Sequence, residues 1–444
     1  DLAKVESGKA DVNIQKIKTR MIELNDAVRW HPEHIGSGRF LNWLKNAEDW
    51  CISRDRFWGT PIPIWTDGDE HFECIGSIEE LCSRMCIKSD TTDLVKILQE
   101  KLINDLHRES IDEITILSKD GTKKLHRIPY VLDCWFESGS MPWAQHHYPF
   151  ENVKKFECEF PADFVCEGLD QTRGWFYSLM ALSTAIFNKA PYRNVMVSGI
   201  IVGKDGKKLS KSDKNYTDLS DILERYGAEP LRFRAVNSGL SKAQSVTISE
   251  SSLQDATRDV ILQLANSLNF MTEHGLAFKS VNGVGITEKK IEMRSMTSGL
   301  PITDQMDIWI LCETKRWHAC MQHALRTYEY STLGKHILEF IKTLNTQYIR
   351  LNYQRLKGRS SDPKSWHSSL LTLCYVLHDL AITIAPVLPF MAEHIFQRLK
   401  EHFMPDLEVS VHCCLYEMLF CKNKNKKSPV TIERFISMDE LGKK

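Results

Sequence analysis

The sequence predicts a two-part protein: an α/β region built on a parallel sheet, followed by an all-α antiparallel helix bundle. Three observations carry that reading. From about residue 50 to 245, short β-rich runs alternate with helix-like segments, the pattern of a parallel sheet with crossover helices. Beyond residue 250, apolar residues recur three and four apart over long stretches, the period of amphipathic helices. At 444 residues the chain is also too long for one ordinary core.

In the first part, DFVCEG and NVMVSGIIV read as strands and DLSDILERYG as a helix with Asp218 and Ser220 as caps. A more polar insertion, from about residue 67 to 124, interrupts the alternation; within it SIEELCSRMC and DLVKILQEKLIND read as helices. In the second part Val260, Ile261, Leu264, Leu268 and Met271 draw one helical stripe. Further helices are expected over residues 304–327, 331–357, 362–384 and 387–403, with Gly358 and Pro386 at helix ends. The break between the parts falls near LSKAQSVTISESS, which begins at Leu240.

Composition narrows the function classes. A net charge of −1 argues against holding nucleic acid by overall basicity, so any polyanion must be met by a local patch. Thirteen cysteines, an odd number without repeated spacing or a secretory leader, read as reduced thiols of a cytoplasmic protein. The longest apolar run, LAITIAPVLPFM (380–391), is too short to cross a bilayer and carries two prolines, so no membrane segment is expected. Cys82 and Cys86 stand four apart with Cys74 nearby, but no second pair matches them and no structural metal is expected.

Two motifs suggest chemistry. GKDGKKLSKSDKN (203–215) holds five lysines; alone it reads as a solvated hairpin tip, since Asp-Gly is a turn signal. Its setting argues otherwise. It follows a buried strand and precedes a capped helix, beyond the carboxyl end of a strand, where open α/β sheets bind ligands. A glycine-flanked cationic loop there suits a polyphosphate whose charge shifts as a bond breaks. The second motif, DFVCEGLDQTRGWFY, sets an apolar strand directly before Glu167, Gly168, Asp170 and Gln171, with a helix expected from near Thr172. Carboxylates and an amide at such a junction can bind an ammonium group and ribose hydroxyls. The alternative is a solvent-exposed turn capped by Asp170.

These residues carry a family resemblance. KLSKS (208–212) resembles the KMSKS signature of class I aminoacyl-tRNA synthetases, with Leu209 in place of Met. NWLKNAEDWCISRDRFWGTPIPIW (42–65), VLDCWFESGSMPWAQHHYPF (131–150), CEGLDQTRGWFYSLMALSTAIF and QYIRLNYQRLKG (347–358) resemble the isoleucyl members in the same order. The likeness covers nearly everything after about Trp30. Valyl members usually carry a WWGHRIP-like version of RFWGTPIP and lack DQTRGWF; leucyl members differ at EGLDQTRGW. WHPEHIGSGRF and SDKNYTD resemble the eukaryotic cytosolic type.

The resemblance implies the second half of a Rossmann-like nucleotide-binding domain followed by an anticodon-binding helix bundle. It divides the chain into a post-editing connection and start of the second Rossmann half (1–66), an insertion (67–130), the catalytic Rossmann region with the signature loop (131–245), and a helical tRNA-binding domain (246–444). It also implies ATP, as its Mg2+ complex, L-isoleucine and tRNA(Ile) as partners of a monomer. The amino acid is activated to an adenylate and passed to the terminal ribose of the tRNA. Lys208 and Lys211 would neutralise the leaving pyrophosphate, with Ser210 and Ser212 shaping the loop or bonding phosphate. Glu167, Gly168, Asp170 and Gln171 would line the adenylate site, Gly199 would approach adenine or ribose, and Trp58 would wall the amino-acid pocket. Ser198, where relatives often have His or Asn, is not expected to add a side-chain contact. Arg350, Arg355, Lys357 and Arg359 form the clearest basic cluster for tRNA, with Tyr348, Tyr353 and Trp366 available for stacking. The alternative for that cluster is a solvated helix face.

The resemblance marks absences too. The family's HIGH signature is not found: HIGS (34–37) matches the segment after the editing domain, no strand is expected before it, and His34 reads as a loop residue after Pro32. No editing domain is found, so the chain is expected to be the later part of a longer enzyme and not to proofread. One methylene limits discrimination of isoleucine from valine by such enzymes to roughly 150-fold. Three alternatives stay open: a tRNA-binding fragment that forms no adenylate, a valyl or leucyl enzyme, and another nucleotidyl transferase of the same fold, such as a pantothenate-synthetase-like enzyme.

Overall fold

The computed structural model describes residues 7–69, 71–86, 102, 105–203, 206–207, 209, 217–287, 304–359 and 363–414. The chain divides into two compact units, residues 1–202 with 239–246, and residues 203–238 with 247–444. The segment after the lysine-rich loop therefore joins the helical unit, where the sequence had suggested a boundary near residue 245.

The first unit is organised by three parallel strands, β1 (Arg29–His31), β8 (Val165–Gly168) and β9 (Asn194–Ser198), in the order β1-β9-β8. Central β9 needs apolar side chains on both faces, and its Val195, Met196 and Val197 are at most 3% exposed. Strand β8 reaches β9 through the helix Trp175–Phe187, whose Phe176, Leu179 and Met180 pack with Trp30, Phe40, Leu44 and Tyr192. The run NVMVSGIIV is not one strand. It stops at Ser198 because residues 240–246 cross over it: the Gly199 N–H donates to the Leu240 carbonyl at 2.7 Å, and Val202 and Val246 bond beyond.

Strand β1 corrects one expectation. It lies immediately before His34, paired in parallel with β9, so a strand does precede HIGS. The fold of that segment is a wide helical turn over Ile35–Phe40, in which Gly36 packs directly against the Trp30 ring.

The insertion makes its own antiparallel sheet, β4-β3-β6-β5, from β3 (Ile64–Thr66), β4 (Phe72–Cys74), β5 (Thr115–Leu117) and β6 (Lys124–Arg127). Trp65, Leu81, Ile116 and Leu125 fill its core. Ile78–Arg84 is helical, with Ser77 capping the Glu80 N–H at 3.1 Å; of DLVKILQEKLIND, only Leu102 and Asp105 lie among the described residues. Short strands β2 (Ser53–Arg54) and β7 (Val131–Leu132) pair antiparallel at its base.

The second unit is a helix bundle. Its long helices are Leu262–Asn282, Gln305–Arg326, Tyr330–Lys342, continued by a wider turn through Ile349, Pro363–Ile384 and Pro389–His402. Of the expected stripe, Val260, Leu264, Leu268 and Met271 are at most 1% exposed, while Ile261 is only partly buried against the same core. Pro363–Ile384 contains the one stretch among the described residues, Lys364–Ile384, long and apolar enough to cross a membrane, longer than any the sequence reading anticipated. Its Leu370, Leu373, Val376, Leu377 and Leu380 are at most 1% exposed, in the middle of the bundle core. Leu219–Tyr226 is helical as expected, capped by Asp218 through the Ser220 N–H at 2.8 Å.

Candidate functional site

The first unit gathers polar groups at the carboxyl ends of β8 and β9. Register places Glu167 beside Val197 and Gly168 beside Ser198, and the Ser198 hydroxyl donates to the Glu167 carbonyl at 3.3 Å. Both side chains at the end of β8 are available: Glu167 and Asp170 are exposed. The helix expected from near Thr172 begins three residues on. Residues Leu169–Arg173 form a single tight turn, and the helix starts at Trp175. The turn is stitched from inside, because the fully buried Thr172 hydroxyl donates to the Leu169 carbonyl at 2.9 Å and accepts from Arg39 Nε at 3.0 Å.

The cap of the following helix is Gln171, not Asp170. Its Oε1 accepts the Trp175 N–H at 2.9 Å and its Nε2 donates to Asp170 Oδ2 at 3.2 Å. One of the four orphan amides that every helix start carries is thereby satisfied, and the amide and carboxylate are held in fixed orientation at the strand end. A Cβ at Gly174 would lie 2.7 Å from Gln171 Oε1 and 2.9 Å from the Trp135 ring, so glycine is what lets the two approach. The aromatic ring lying against this turn is thus Trp135, which stands 41% exposed.

Trp58 sits elsewhere. It is 71% exposed and stacks on His107 with centroids 4.3 Å apart. Together they line a cavity of about 400 Å³ with Arg54, Arg56, Thr60 and Glu137. Val131, Leu132 and Cys134 line it too, so apolar and charged groups share it. The cavity is joined to the Trp135 helix by two links: Arg54 pairs with the buried Asp133, and Glu137 accepts the Thr60 N–H at 2.9 Å.

Gly199 is explained by the protein itself. A Cβ there would fall 1.8 Å from the Gln244 carbonyl oxygen, so the glycine admits the crossing segment 240–246. Lys208, Ser210, Lys211 and Ser212 lie outside the described residues. Among the described residues no group of three His, Cys, Asp or Glu side chains could hold a metal.

In the second unit the basic cluster separates into two kinds of residue. Arg350 and Arg359 are exposed, and Lys357 rests its ammonium over the Tyr353 ring, 4.3 Å from the centroid. Arg355 is turned inward: its side chain is 16% exposed and pairs with Asp304 and Asp307, each at 2.8 Å. Of the aromatic residues expected to stack on bases, Tyr348 is fully buried and donates its hydroxyl to Asp307 Oδ1 at 2.7 Å. Burial raises its phenol pKa well above the ordinary value, and the Asp307 charge adds to this. Trp366 is committed as well, its indole N–H donating to the Leu356 carbonyl at 2.9 Å and its ring edge-on to Phe278. Tyr353 is 40% exposed, its ring shared between the Lys357 ammonium and Phe270.

Sequence reading missed Arg39, Trp135 and Thr172. Thr172 and Trp135 stand inside motifs already singled out, and only the tight turn reveals what they touch. Arg39 is 133 residues from its partner, and no local pattern announces it.

Comparison with known proteins bears on the whole chain. Residues 11–247 match the family model of class I tRNA synthetases (I, L, M and V), and residues 307–436 that of the anticodon-binding domain of tRNA ligase. A probable cytoplasmic isoleucine--tRNA ligase of Dictyostelium discoideum is 39% identical over 435 residues, covering 97% of this chain and 39% of that protein. The cytoplasmic isoleucine--tRNA ligase of Mus musculus is 38% identical over 438 residues, covering 97% and 33%. The chain thus spans between a third and two-fifths of the length of these curated relatives. Among solved structures, Mycobacterium tuberculosis methionyl-tRNA synthetase in complex with methionyl-adenylate aligns with a TM-score of 0.55 at 14% identity, over 89% of this chain and 65% of that one. The LeuRS–tRNA–LeuAMS ternary complex of Agrobacterium radiobacter K84 aligns with a TM-score of 0.53 at 16% identity, over 88% and 44%. At these identities the structures speak to the fold alone.

Proposed function

We propose, on the premise that this chain belongs to the class I tRNA synthetases (I, L, M and V), that it carries the adenylate-binding strand end and the tRNA-binding helices of a cytosolic isoleucine-activating enzyme. Its substrates are L-isoleucine, ATP as the Mg2+ complex, and tRNA(Ile). Support for isoleucine over its relatives comes from the 38–39% identity to isoleucine--tRNA ligases over nearly the whole chain.

In the proposed reaction an isoleucine carboxylate oxygen attacks the α-phosphate of ATP, the bond to the β-phosphate bridging oxygen breaks, and pyrophosphate leaves. A terminal ribose hydroxyl of the tRNA then attacks the carbonyl carbon, loses its proton and releases AMP. No side chain becomes covalently attached, so the protein contributes positioning and charge stabilisation. Lys208 and Lys211 meet the leaving pyrophosphate, with Ser210 and Ser212 shaping that loop. Glu167 and Asp170 take the substrate ammonium and ribose hydroxyls, with Gly168 allowing close approach. Gln171 orients Asp170. Trp135 is the better candidate for a wall against the aliphatic side chain, because its ring abuts Gly174 and its turn. In the helical unit Arg350, Lys357 and Arg359 face tRNA, and Arg355 braces them from within.

The observation that carries the reading is the paired strand ends with Glu167 exposed on β8 and Asp170 and Gln171 in the braced turn that follows it. It is tested by titrating the chain with non-hydrolysable isoleucyl-, valyl- and leucyl-adenylate analogues. The isoleucyl analogue is expected to bind tightest, and Glu167→Gln to weaken it on the order of 10-fold or more, the loss of a charge-assisted hydrogen bond. Equal binding of the three analogues, or an unaffected Glu167→Gln variant, overturns the assignment.

A further inference from the structure

The neck of the insertion brings two cysteines together. The chain enters the insertion through β2 and leaves it through β7, with Ser53 beside Leu132 and Arg54 beside Val131. The pairing runs on past the strand ends. The Asp133 N–H donates to the Ile52 carbonyl at 2.8 Å, and beyond it the rings of Trp50 and Phe136 meet, with centroids 6.4 Å apart. Between these two contacts stand Cys51 and Cys134, the next pair in the register. The backbone at Asp133 is still extended, with φ −60° and ψ 138°, and the helix Cys134–Ala144 begins after it.

Alternation puts both thiols on one face. Successive side chains of a strand point to opposite sides, so Cys51 shares a face with Ser53, Leu132 and Cys134. In keeping with this, the Cys51 Sγ lies 3.4 Å from the Ser53 hydroxyl oxygen. The ladder bond between Ile52 and Asp133 makes the next pair a non-hydrogen-bonded one, where side chains stand closest. The α-carbons of such pairs lie about 4.5 Å apart, within the roughly 4.4–6.8 Å that a disulfide spans. Both thiols are free and exposed.

Their surroundings differ. The Ser53 hydroxyl holds the Cys51 pKa below the ordinary thiol value, and the charge of Arg54, whose Nη1 donates to the Cys51 carbonyl at 2.6 Å, adds to this. Burial pushes Cys166, Cys374 and Cys414 the other way. Thiolate is the reactive form, so Cys51 is the attacking sulfur and Cys134 stands where a resolving sulfur is needed.

We infer that Cys51 and Cys134 are a reversible dithiol–disulfide pair at the neck of the insertion, oxidised by hydrogen peroxide and reopened by a reducing thiol. The Cys51 thiolate attacks one peroxide oxygen, the O–O bond breaks, and hydroxide leaves and takes up a proton from solvent, giving a sulfenic acid and water. The Cys134 sulfur then attacks the sulfenic sulfur, the S–O bond breaks, and a second water leaves with the Cys134 proton. The pair of sulfurs loses the electrons that the peroxide gains. A thiol such as glutathione reverses the step through a mixed disulfide. Closure rings the whole insertion sheet and ties the cavity wall of Arg54, Arg56 and Trp58 to the wall of Cys134 and Glu137.

The test treats the full chain, reduced and freed of reductant, with hydrogen peroxide, then quenches with N-ethylmaleimide and digests for mass spectrometry. A peptide joining Cys51 to Cys134 is expected as the main disulfide, and dithiothreitol removes it. Cys134→Ser is expected to strand Cys51 as a sulfenic acid that dimedone traps, and Cys51→Ser to slow oxidation of Cys134 on the order of 10-fold. Cys158→Ser, at another exposed thiol, leaves the cross-link intact. The oxidised chain is expected to unfold at a temperature no lower than the reduced one, because the cross-link restricts chiefly the unfolded chain. Pairing of Cys51 mainly with another cysteine, or a cross-link that forms only after unfolding in urea, overturns the inference. So does a wild-type sulfenic acid trapped as fully as in Cys134→Ser, or oxidation that lowers the unfolding temperature. None of these readouts uses an adenylate or tRNA, so the result is independent of the function proposed above.

Discussion

Arg355→Ala is expected to destabilise the helical unit by about 3–5 kcal/mol, and Asp307→Ala by clearly less, about 2–3 kcal/mol. The asymmetry follows from what each change leaves behind. Asp307 is fully buried, and its oxygens accept from Arg355 Nη2 at 2.8 Å, the Tyr348 hydroxyl at 2.7 Å and the Ser368 hydroxyl at 2.9 Å. Without Arg355 the carboxylate keeps only neutral donors, the condition under which breaking a buried pair costs most. Arg355 is better insured. It retains Asp304 at 2.8 Å, accepting oxygens on Asn352 and Ser365, and some access to water. Urea unfolding followed by tryptophan fluorescence and circular dichroism gives both losses, and Asp307→Leu with Arg355→Met completes the test. Two apolar groups of similar volume leave no orphan charge, so the double variant is expected within about 2 kcal/mol of wild type. Losses below about 1 kcal/mol for both single changes, or a larger loss for Asp307→Ala, refute the reasoning.

Three further outcomes follow from close approaches and one shifted carboxyl. Gly199→Ala places a Cβ 1.8 Å from the Gln244 carbonyl, so segment 240–246 must move; a cost of about 2–3 kcal/mol is expected in thermal unfolding, and an unchanged midpoint contradicts the crossing. Gly358→Ala combines a φ of 67° with a Trp366 ring 2.6 Å from the new methyl, and about 1–2 kcal/mol of loss is expected, measurable as a lower urea midpoint. Glu229 accepts the Phe390 N–H at 3.0 Å and the Met391 N–H at 3.4 Å, capping the helix Pro389–His402 from outside it. Burial raises its pKa above the ordinary 4.5, against the opposing pull of those amides and Arg232. A raised folded value means the folded state binds more protons. Stability relative to Glu229→Gln should therefore be greatest below pH 4.5 and fall as pH rises through the folded value. A stability difference between the two that stays flat from pH 4 to about pH 7.5 sinks that assignment.

Much of this architecture was legible in the sequence because periodicity is local. The stripe from Val260 to Met271 could be read as buried from spacing alone, and Asp218 could be read as a cap from its place before an amphipathic run. The turn after β8 was only half legible. Glu167, Asp170 and Gln171 stood out as polar residues behind an apolar strand, but Gln171 took the capping role that composition favoured for Asp170. An Asp at this position turned toward solvent while the longer amide reached the Trp175 N–H. Arg355 and Tyr348 were misleading for a related reason. A cation and an aromatic on a helix near lysines look like a nucleic-acid face, and the buried Asp307 that claims both lies 41 residues before Tyr348 and 48 before Arg355. Trp58 was read as a pocket wall from residue type and does line a cavity, but its stack on His107 depends on the insertion folding back, which no local spacing encodes.

The central claim, activation of isoleucine at the strand-end site, is tested most directly by amino-acid-dependent exchange of pyrophosphate into ATP, with isoleucine, valine and leucine compared on the wild-type chain and on Lys211→Ala. Exchange fastest with isoleucine and lost in Lys211→Ala is the expected result. Exchange that favours leucine or valine, that survives Lys211→Ala unchanged, or that fails with all three amino acids contradicts it.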